Sequence, residues 1–153
     1  MKFKSFFFII VLLTYNEIYC AEITAVSPIN FGTITASFHG DIIQINANFG
    51  TAPPFVLLGG KSVVSGGQSG LVVLKPDSPG QMVNIAYPVS IEITNGANKM
   101  KIRDFSSNST QNFVTENTSP VNINIGGVLE IESNQKSGSY SGSGIINIII
   151  NNP

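Results

Sequence analysis

The sequence lacks most of the residues from which catalytic and metal sites are usually built. Its 153 residues include one histidine, one cysteine and no tryptophan. A zinc or transition-metal site normally needs several histidine or cysteine ligands. Catalysis needs titratable groups that converge on one place. We therefore expect no catalytic residues, no metal and no cofactor, and the sequence does not indicate an enzyme.

Charge is scarce as well. Charged residues make up 11% of the chain, with eight Lys and Arg against nine Asp and Glu, whereas soluble proteins usually carry about 25%. No basic run could neutralise a series of phosphates, so a nucleic-acid partner is excluded. Neutral polar residues and 15 glycines take the place of charge. Amides and hydroxyls must then cover the solvent-facing surfaces.

Helical periodicity is nearly absent, and alternation with a period of two replaces it. In residues 43–49 the odd positions are apolar and the even positions carry amides. Such alternation is typical of an antiparallel strand with one buried face and one wet face. The same pattern occupies residues 121–125 and continues at residues 129–131, after a break expected at Gly126-Gly127.

Turn signals separate the apolar segments. The composition of residues 75–80 predicts a turn, and Asn95-Gly96 predicts a hairpin between two strands. Residues 106–119 are polar and predict a long loop with at most a short strand. Eight to ten short strands result, and their spacing favours an all-β, antiparallel, immunoglobulin-like sandwich. Several strands look shorter than the ~9–11 residues that a membrane-spanning strand needs, so no stable membrane insertion is expected.

The N-terminus has the pattern of a signal peptide. Lys2 and Lys4 precede an apolar run at residues 5–13, which is too short for a transmembrane helix. We expect a signal peptide over residues 1–20, a single domain over residues 21–153, and export to the periplasm or cell surface. Cleavage after Cys20 or after Ala21 would leave a chain without cysteine. A lipid anchor at Cys20 is the alternative.

Few side chains form a candidate reactive group. His39 and Asp41 lie in an expected surface turn, and a hydrolase built on them is the least favoured hypothesis. Glu130 and Glu132 lie two residues apart, so they share one face of a strand. They could act together, but solvent-facing glutamates beside a buried residue are the simpler interpretation.

Two further groups could form contacts with a partner. Lys99, Lys101 and Arg103 alternate with apolar residues, so they share one side of a strand and form a candidate ligand face. They could also simply keep that face wet. The last strand carries Ile146, Ile148 and Ile150, a candidate edge for strand pairing. The alternative is a central strand covered on both faces.

Three segments, taken in order, resemble a known family. They are Ile29-Asn30-Phe31-Gly32-Thr33-Ile34, Ile125-Gly126-Gly127-Val128-Leu129-Glu130-Ile131 and Ser137-Gly138-Ser139-Tyr140-Ser141-Gly142. Their order and spacing resemble the bacterial 4402 domain-of-unknown-function family, whose members look like small exported proteins. The resemblance covers essentially all of the chain after residue 20.

The C-terminal region also resembles subunits of chaperone–usher fimbriae and spore-coat-U-like pilins. That resemblance implies an immunoglobulin-like sandwich that lacks one strand and receives it from a neighbour. Gly138, Tyr140 and Gly142 would form the turn into the last strand. The chain departs from the pilin pattern because only about seven residues separate the cleavage point from Ile29, and the expected C-terminal aromatic residue is missing. A self-complete sandwich is the alternative.

The sequence thus predicts an exported, non-catalytic structural or adhesive surface protein with a pilin-like domain. Its partner would be a second copy or another exported subunit, bound through an edge strand. The alternative is a soluble periplasmic binding module for a glycan or peptide, which would use residues 106–119 and the face of Lys99, Lys101 and Arg103.

Overall fold

The protein is all-β over the residues that the computed structural model describes, which are 21–35, 39–47, 55–59 and 62–152. These residues contain no helix, and every strand pairing among them is antiparallel. The predicted signal peptide lies outside the described residues. The strands are β1 (Glu22–Ser27), β2 (Thr33–Thr35), β3 (Asp41–Ile45), β4 (Phe55–Gly59), β5 (Val63–Ser65), β6 (Gly70–Lys75), β7 (Met82–Ala86), β8 (Ser90–Asn95), β9 (Asn98–Ser107), β10 (Asn112–Val114), β11 (Val121–Ile131) and β12 (Asn147–Asn151).

The described residues therefore form twelve strands rather than the predicted eight to ten. The chain from Ile23 to Ile34 forms parts of two strands, because Pro28 and Gly32 interrupt it. β1 ends at Ser27 and β2 begins at Thr33. Proline cannot donate a ladder hydrogen bond, and Gly32 has a φ of 74°, outside the strand region.

A seven-stranded sheet is organised around the long strand β11. Residues 121–125 pair with β6, residues 127–131 pair with β3, and residues 125–130 pair with β9. Ile125 is opposite both Gly70 and Ser107, so β6 and β9 flank β11 on opposite edges. β3 and β9 also flank β11 on opposite edges, because both pair with residues 128–130 of β11. β6 and β3 therefore follow one another along the same edge of β11.

Gly126 marks the position where β11 changes partner. The predicted break at Gly126-Gly127 was wrong, since β11 runs through both glycines without interruption. A Cβ atom at position 126 would lie 2.3 Å from the Ile45 carbonyl oxygen and 2.8 Å from the Ala47 amide nitrogen. The glycine is needed for this close backbone approach and does not end the strand.

Two small sheets supply the rest of the core. The three-stranded sheet β10-β7-β12 and the β6–β11 part of the large sheet contribute side chains to one buried cluster, centred on Leu74, Val83 and Ile123. The two-stranded sheet β2-β5 adds Ile34 and Val64 to a second cluster, centred on residues of β3, β9 and β11. Ile29 and Phe105 pack against both clusters and so join them.

The hairpin predicted at Asn95-Gly96 is confirmed, with its turn shifted by one residue. Asn95 pairs with Asn98, so Gly96 and Ala97 are the two central residues. Gly96 has a φ of 59°, whereas Ala97 is not among the residues with positive φ. A positive φ at only the first central position is the requirement of a type II′ turn, which glycine meets without strain.

A bulge in β9 directs the next stretch of chain. Gly126 is opposite Ser106 and Val128 is opposite Arg103, so Asp104 and Phe105 together face one residue of β11. Asp104 has a φ of 50°, in the left-handed region that such bulges use. The extra residue turns Phe105 toward the core, where its ring stacks on Tyr87 with centroids 6.4 Å apart.

The loop predicted over residues 106–119 begins later than expected, because β9 runs to Ser107, and it contains one short strand, β10, as expected. Its first part is tied to β11 by Asn108. The Asn108 side chain donates to the Asn122 carbonyl over 3.1 Å and accepts from the Asn124 amide over 2.7 Å. Asn108 thus extends the β9 side of the ladder by a side chain after the strand itself has ended.

Candidate functional site

An apolar groove is the most distinctive surface feature of the described residues. It has a volume of about 570 Å³, and no charged side chain lines it. Ligand pockets usually measure about 300–1,000 Å³. Its lining residues come from β1, β6, β8, β9, β11 and β12 and from the segment that leads into β12. Its lining includes Ile23, Val26, Val72, Ile91, Ile93, Ile102, Phe105, Ile125, Ile145, Ile146 and Ile148.

Of the three predicted isoleucines, Ile146 and Ile148 line this groove, and Ile148 and Ile150 lie on β12 at an edge of the small sheet. In the described part of the chain β12 pairs with β7 alone, so its second edge has no strand beside it. Ile146, Ile148 and Ile150 are half-buried and pack against the cluster around Leu74. β12 is therefore placed at a sheet edge, not at the centre of a sheet as the alternative held.

The outward face of the small sheet combines amides with exposed apolar side chains. Asn84 of β7 donates a side-chain hydrogen bond to Asn112 of β10. Ile149 of β12, Met82 of β7 and Val114 of β10 are 52%, 52% and 55% exposed. The three strands contain no charged residue. On this face only uncharged side chains contact solvent, as the composition predicts.

The segment 138–144 lies along β8 and covers part of its outer edge. Thr94 and Ser141 exchange two backbone hydrogen bonds of 2.8 and 3.1 Å. A Cβ atom at Gly142 would lie 2.4 Å from the Glu92 carbonyl oxygen, and one at Gly144 would overlap the Ile91 side chain. Gly142 and Gly144 therefore permit close packing on β8. The pilin resemblance had implied only a turn for Gly142.

The candidate ligand face is balanced by carboxylates. Lys99, Lys101 and Arg103 do share one side of β9, at alternate positions. The Lys99 ammonium lies 2.8 Å from Glu92, and Arg103 pairs with both Asp104 and Glu130. Lys101 lies in register between Glu92 on β8 and Glu130 on β11.

The residues proposed for acid–base chemistry line an open hollow. His39 lies in an exposed turn, as predicted, and shares this hollow of about 610 Å³ with Asp41, Glu130 and Glu132. The buried Asp41 carboxylate accepts hydrogen bonds from the Ile42 amide over 2.8 Å and the Ser62 amide over 2.9 Å. Asp41 therefore holds the start of β3 to the chain that precedes β5.

A buried polar cluster, missed by sequence reasoning, ties the chain after β12 to the loop before β7. Gln81 is 1% exposed. Its side-chain amide donates to Asn152 over 2.6 Å, and its side-chain oxygen accepts from the Asp77 amide over 3.3 Å. Its own backbone amide donates to the Thr115 hydroxyl over 3.1 Å. The alternation around Gln81 gave no signal for this role, since a glutamine before a strand usually faces water.

Within the described residues, no three His, Cys, Asp or Glu side chains are placed so that they could hold a metal ion. No helix among the same residues has the length and apolarity needed to cross a membrane.

Comparison with known proteins places the chain in a family. The model of a domain of unknown function, DUF4402, matches residues 22–151. No curated protein and no solved structure gives a significant match. The matched range begins with the first residue of β1 and ends with the last residue of β12, so it spans the whole described fold. The chain therefore belongs to the DUF4402 family.

Proposed function

We propose that this protein is an exported, non-catalytic structural or adhesive surface protein, built on a pilin-like, immunoglobulin-like β-sandwich. The observation that carries the proposal is the open edge of β12 beside an uncharged apolar groove. The protein would act by pairing this edge with a strand of a second copy or of another exported subunit.

The physical argument starts from the edge. A strand at the edge of a sheet presents unpaired amide and carbonyl groups, which can pair with another chain. Main-chain hydrogen bonds then supply affinity, and pockets for alternate side chains supply specificity. Ile148 of this edge strand also lines the groove, as does Ile146 just before the strand begins. A strand added to β12 could therefore direct alternate apolar side chains into the groove.

Export is the second part of the proposal. The apolar run at residues 5–13, preceded by Lys2 and Lys4, supports a signal peptide over residues 1–20 that leaves a domain of residues 21–153. The neutral surface supports the structural role, because two uncharged strand edges can pair without electrostatic repulsion.

The alternative, a soluble periplasmic binding module for a glycan or peptide, receives less support. Glu92, Asp104 and Glu130 balance the three cations of its proposed face. Solvent-exposed ion pairs of this kind contribute about 0–1 kcal/mol each. An anionic ligand would have to displace these carboxylates before it could bind the cations.

Cell fractionation tests the proposed function directly. The chain, expressed in a bacterial host, should reach the periplasm or cell surface with a new N-terminus at residue 21 or 22, as mass spectrometry would show. Cross-linking in intact cells should capture it in assemblies. A full-length chain retained in the cytoplasm would contradict the proposal.

A triple variant separates the proposed function from its alternative. Lys99→Gln, Lys101→Gln and Arg103→Gln together should leave export and assembly unchanged, since no cation lies on β12. Loss of assembly in this variant would contradict pairing at β12, and binding of an anionic glycan by the wild type but not by the variant would favour the binding-module hypothesis.

A further inference from the structure

We propose that the first partner of β12 is β12 of a second copy, paired antiparallel about a two-fold axis at Ile149. This inference rests on the proposed function, in which β12 is the pairing edge, and adds the identity of the partner and the register of pairing. It predicts a symmetric dimer in which the two small sheets become one.

The sequence of β12 is symmetric about its centre. It reads Asn147-Ile148-Ile149-Ile150-Asn151, which is the same in both directions. A two-fold axis requires a surface that complements itself, so that residue i meets residue j and residue j meets residue i. An antiparallel pair centred on Ile149 places Asn147 opposite Asn151 of the other copy, and Ile148 opposite Ile150.

The two faces of the resulting pair are chemically matched. Asn147, Ile149 and Asn151 are exposed on the outward face, whereas Ile148 and Ile150 are half-buried and face the core. The dimer would therefore bring Ile149 against its symmetry mate, flanked on each side by two amides that can hydrogen-bond. Such cross-strand pairs contribute about 0.2–1 kcal/mol each.

The other strand edges in the described chain are less suited to pairing. β1 has an irregular register at Thr24 and β4 has one at Leu58, and bulges on edge strands discourage pairing. The outer edge of β8 is already joined to Ser141 at Thr94. β2, β5 and β10 have only three residues each. β12 has five residues, regular register and no charge.

The expected product is a continuous six-stranded sheet in the order β10-β7-β12-β12-β7-β10. The pairing also covers Ile149, which is 52% exposed in the single chain. An uncharged strand with three successive isoleucines is otherwise an aggregation hazard, because it offers a template to any other edge. Closed pairing with a second copy removes that hazard.

The oligomeric state of purified protein, starting at residue 21, tests the proposal. Analytical ultracentrifugation over a concentration series should show a monomer–dimer equilibrium. Ile149→Lys should weaken the dimer at least about tenfold, because it places two like charges opposite each other at the axis. The matched control is Met82→Lys, since Met82 is equally exposed on the same face but lies one strand inside the edge. This control should dimerise like the wild type.

A cysteine variant tests the register. Directly opposite residues of an antiparallel pair have Cβ atoms about 4.5–5.5 Å apart, close to the separation that a disulfide spans. Ile149→Cys should therefore give a covalent dimer on mild oxidation. The control is Val114→Cys, since Val114 is 55% exposed on β10. This variant should run as a monomer on a denaturing, non-reducing gel.

The measurements of oligomeric state and cross-linking can each contradict the β12–β12 dimer. A wild type that stays monomeric at all concentrations would overturn the proposal, as would a dimer that is unaffected by Ile149→Lys or cross-linked through Val114→Cys. A monomer that is nevertheless exported and found in assemblies with another subunit would leave the proposed function standing. Circular dichroism of both lysine variants should match the wild type, because both positions are exposed.

Discussion

At the scale of single residues, the fold has its most specific steric requirement at Gly126. Its hydrogen atom faces the backbone of β3 and the residues after it, where β11 passes from β6 to β3. We expect Gly126→Ala to lower the free energy of unfolding by about 3 kcal/mol, because overpacking against backbone cannot be relieved by a rotamer change. Urea denaturation at neutral pH would measure it.

The same substitution at Gly59 is the control for Gly126. Among the residues that the structure describes, no atom lies within 4 Å of a Cβ built at Gly59. Gly59→Ala should be neutral or should stabilise the protein by about 0.4–1 kcal/mol, because it restricts the unfolded chain. Equal effects at the two glycines would show that the close approach at Gly126 has no energetic consequence.

Gln81 is the second residue whose role depends on its exact partners. Gln81→Leu keeps most of the side-chain volume but leaves the Asn152 oxygen and the Asp77 amide without their partner. We expect a loss of about 1 kcal/mol in the free energy of unfolding, since both lost hydrogen bonds are partly buried and a typical hydrogen bond contributes about 0.5–1.5 kcal/mol. Thermal denaturation followed by circular dichroism would detect the loss.

Gln111 offers the matched control for this prediction. It is an exposed glutamine, and substitutions at exposed positions usually change stability by less than about 0.5 kcal/mol. Gln111→Leu should therefore leave the transition unchanged. A Gln81→Leu variant as stable as Gln111→Leu would mean that the polar cluster does not hold the end of the chain.

At the scale of elements, the segment 138–144 behaves as a strap on β8 whose hold depends on glycine. Gly142→Val would place a branched side chain 2.4 Å from the Glu92 carbonyl oxygen. We expect the strap to separate from β8 locally, while the two core clusters, to which it contributes no residue, remain folded. Amide hydrogen exchange should then show faster exchange at Thr94 and Ser141.

The neighbouring residue provides the comparison. Ser143 is exposed, so Ser143→Val should leave the protection of Thr94 unchanged. A Gly142→Val variant that exchanges at the wild-type rate at Thr94 would contradict the account of the strap. A variant that lost protection throughout would show instead that the strap is part of the global folding unit.

At the scale of the whole molecule, sequence patterns predicted local structure well and pairing poorly. Alternation located both halves of β11, because a strand with one buried face shows its period in the chain itself. It located β3 only in part, since β3 ends at Ile45 and residues 48–49 of the predicted segment lie outside the described residues. It could not show that β11 changes partner at Gly126, since that depends on residues about 80 positions away. The glycine pair was interpreted as a break because glycine is usually unfavourable inside a strand.

At the candidate site, too, local features were predicted from the sequence and contacts between strands were not. The sequence predicted that Lys99, Lys101 and Arg103 share a face, because that follows from the period of two. It did not predict the opposing carboxylates, which come from β8 and β11. The groove was not predicted at all, because its walls come from distant parts of the chain that only the tertiary structure brings together.

The two core clusters are connected by shared side chains. Ile29 and Phe105 pack against both clusters, so loosening one cluster should loosen the other. We expect the domain to unfold in one cooperative step. Ile43→Ala in the first cluster should lower the free energy of unfolding by about 2–5 kcal/mol. It should also reduce hydrogen-exchange protection equally in β3 and in the distant strand β7, because the slowest amides exchange through global unfolding. Protection lost in β3 alone would show two independent units, joined by the sheet but not by the core.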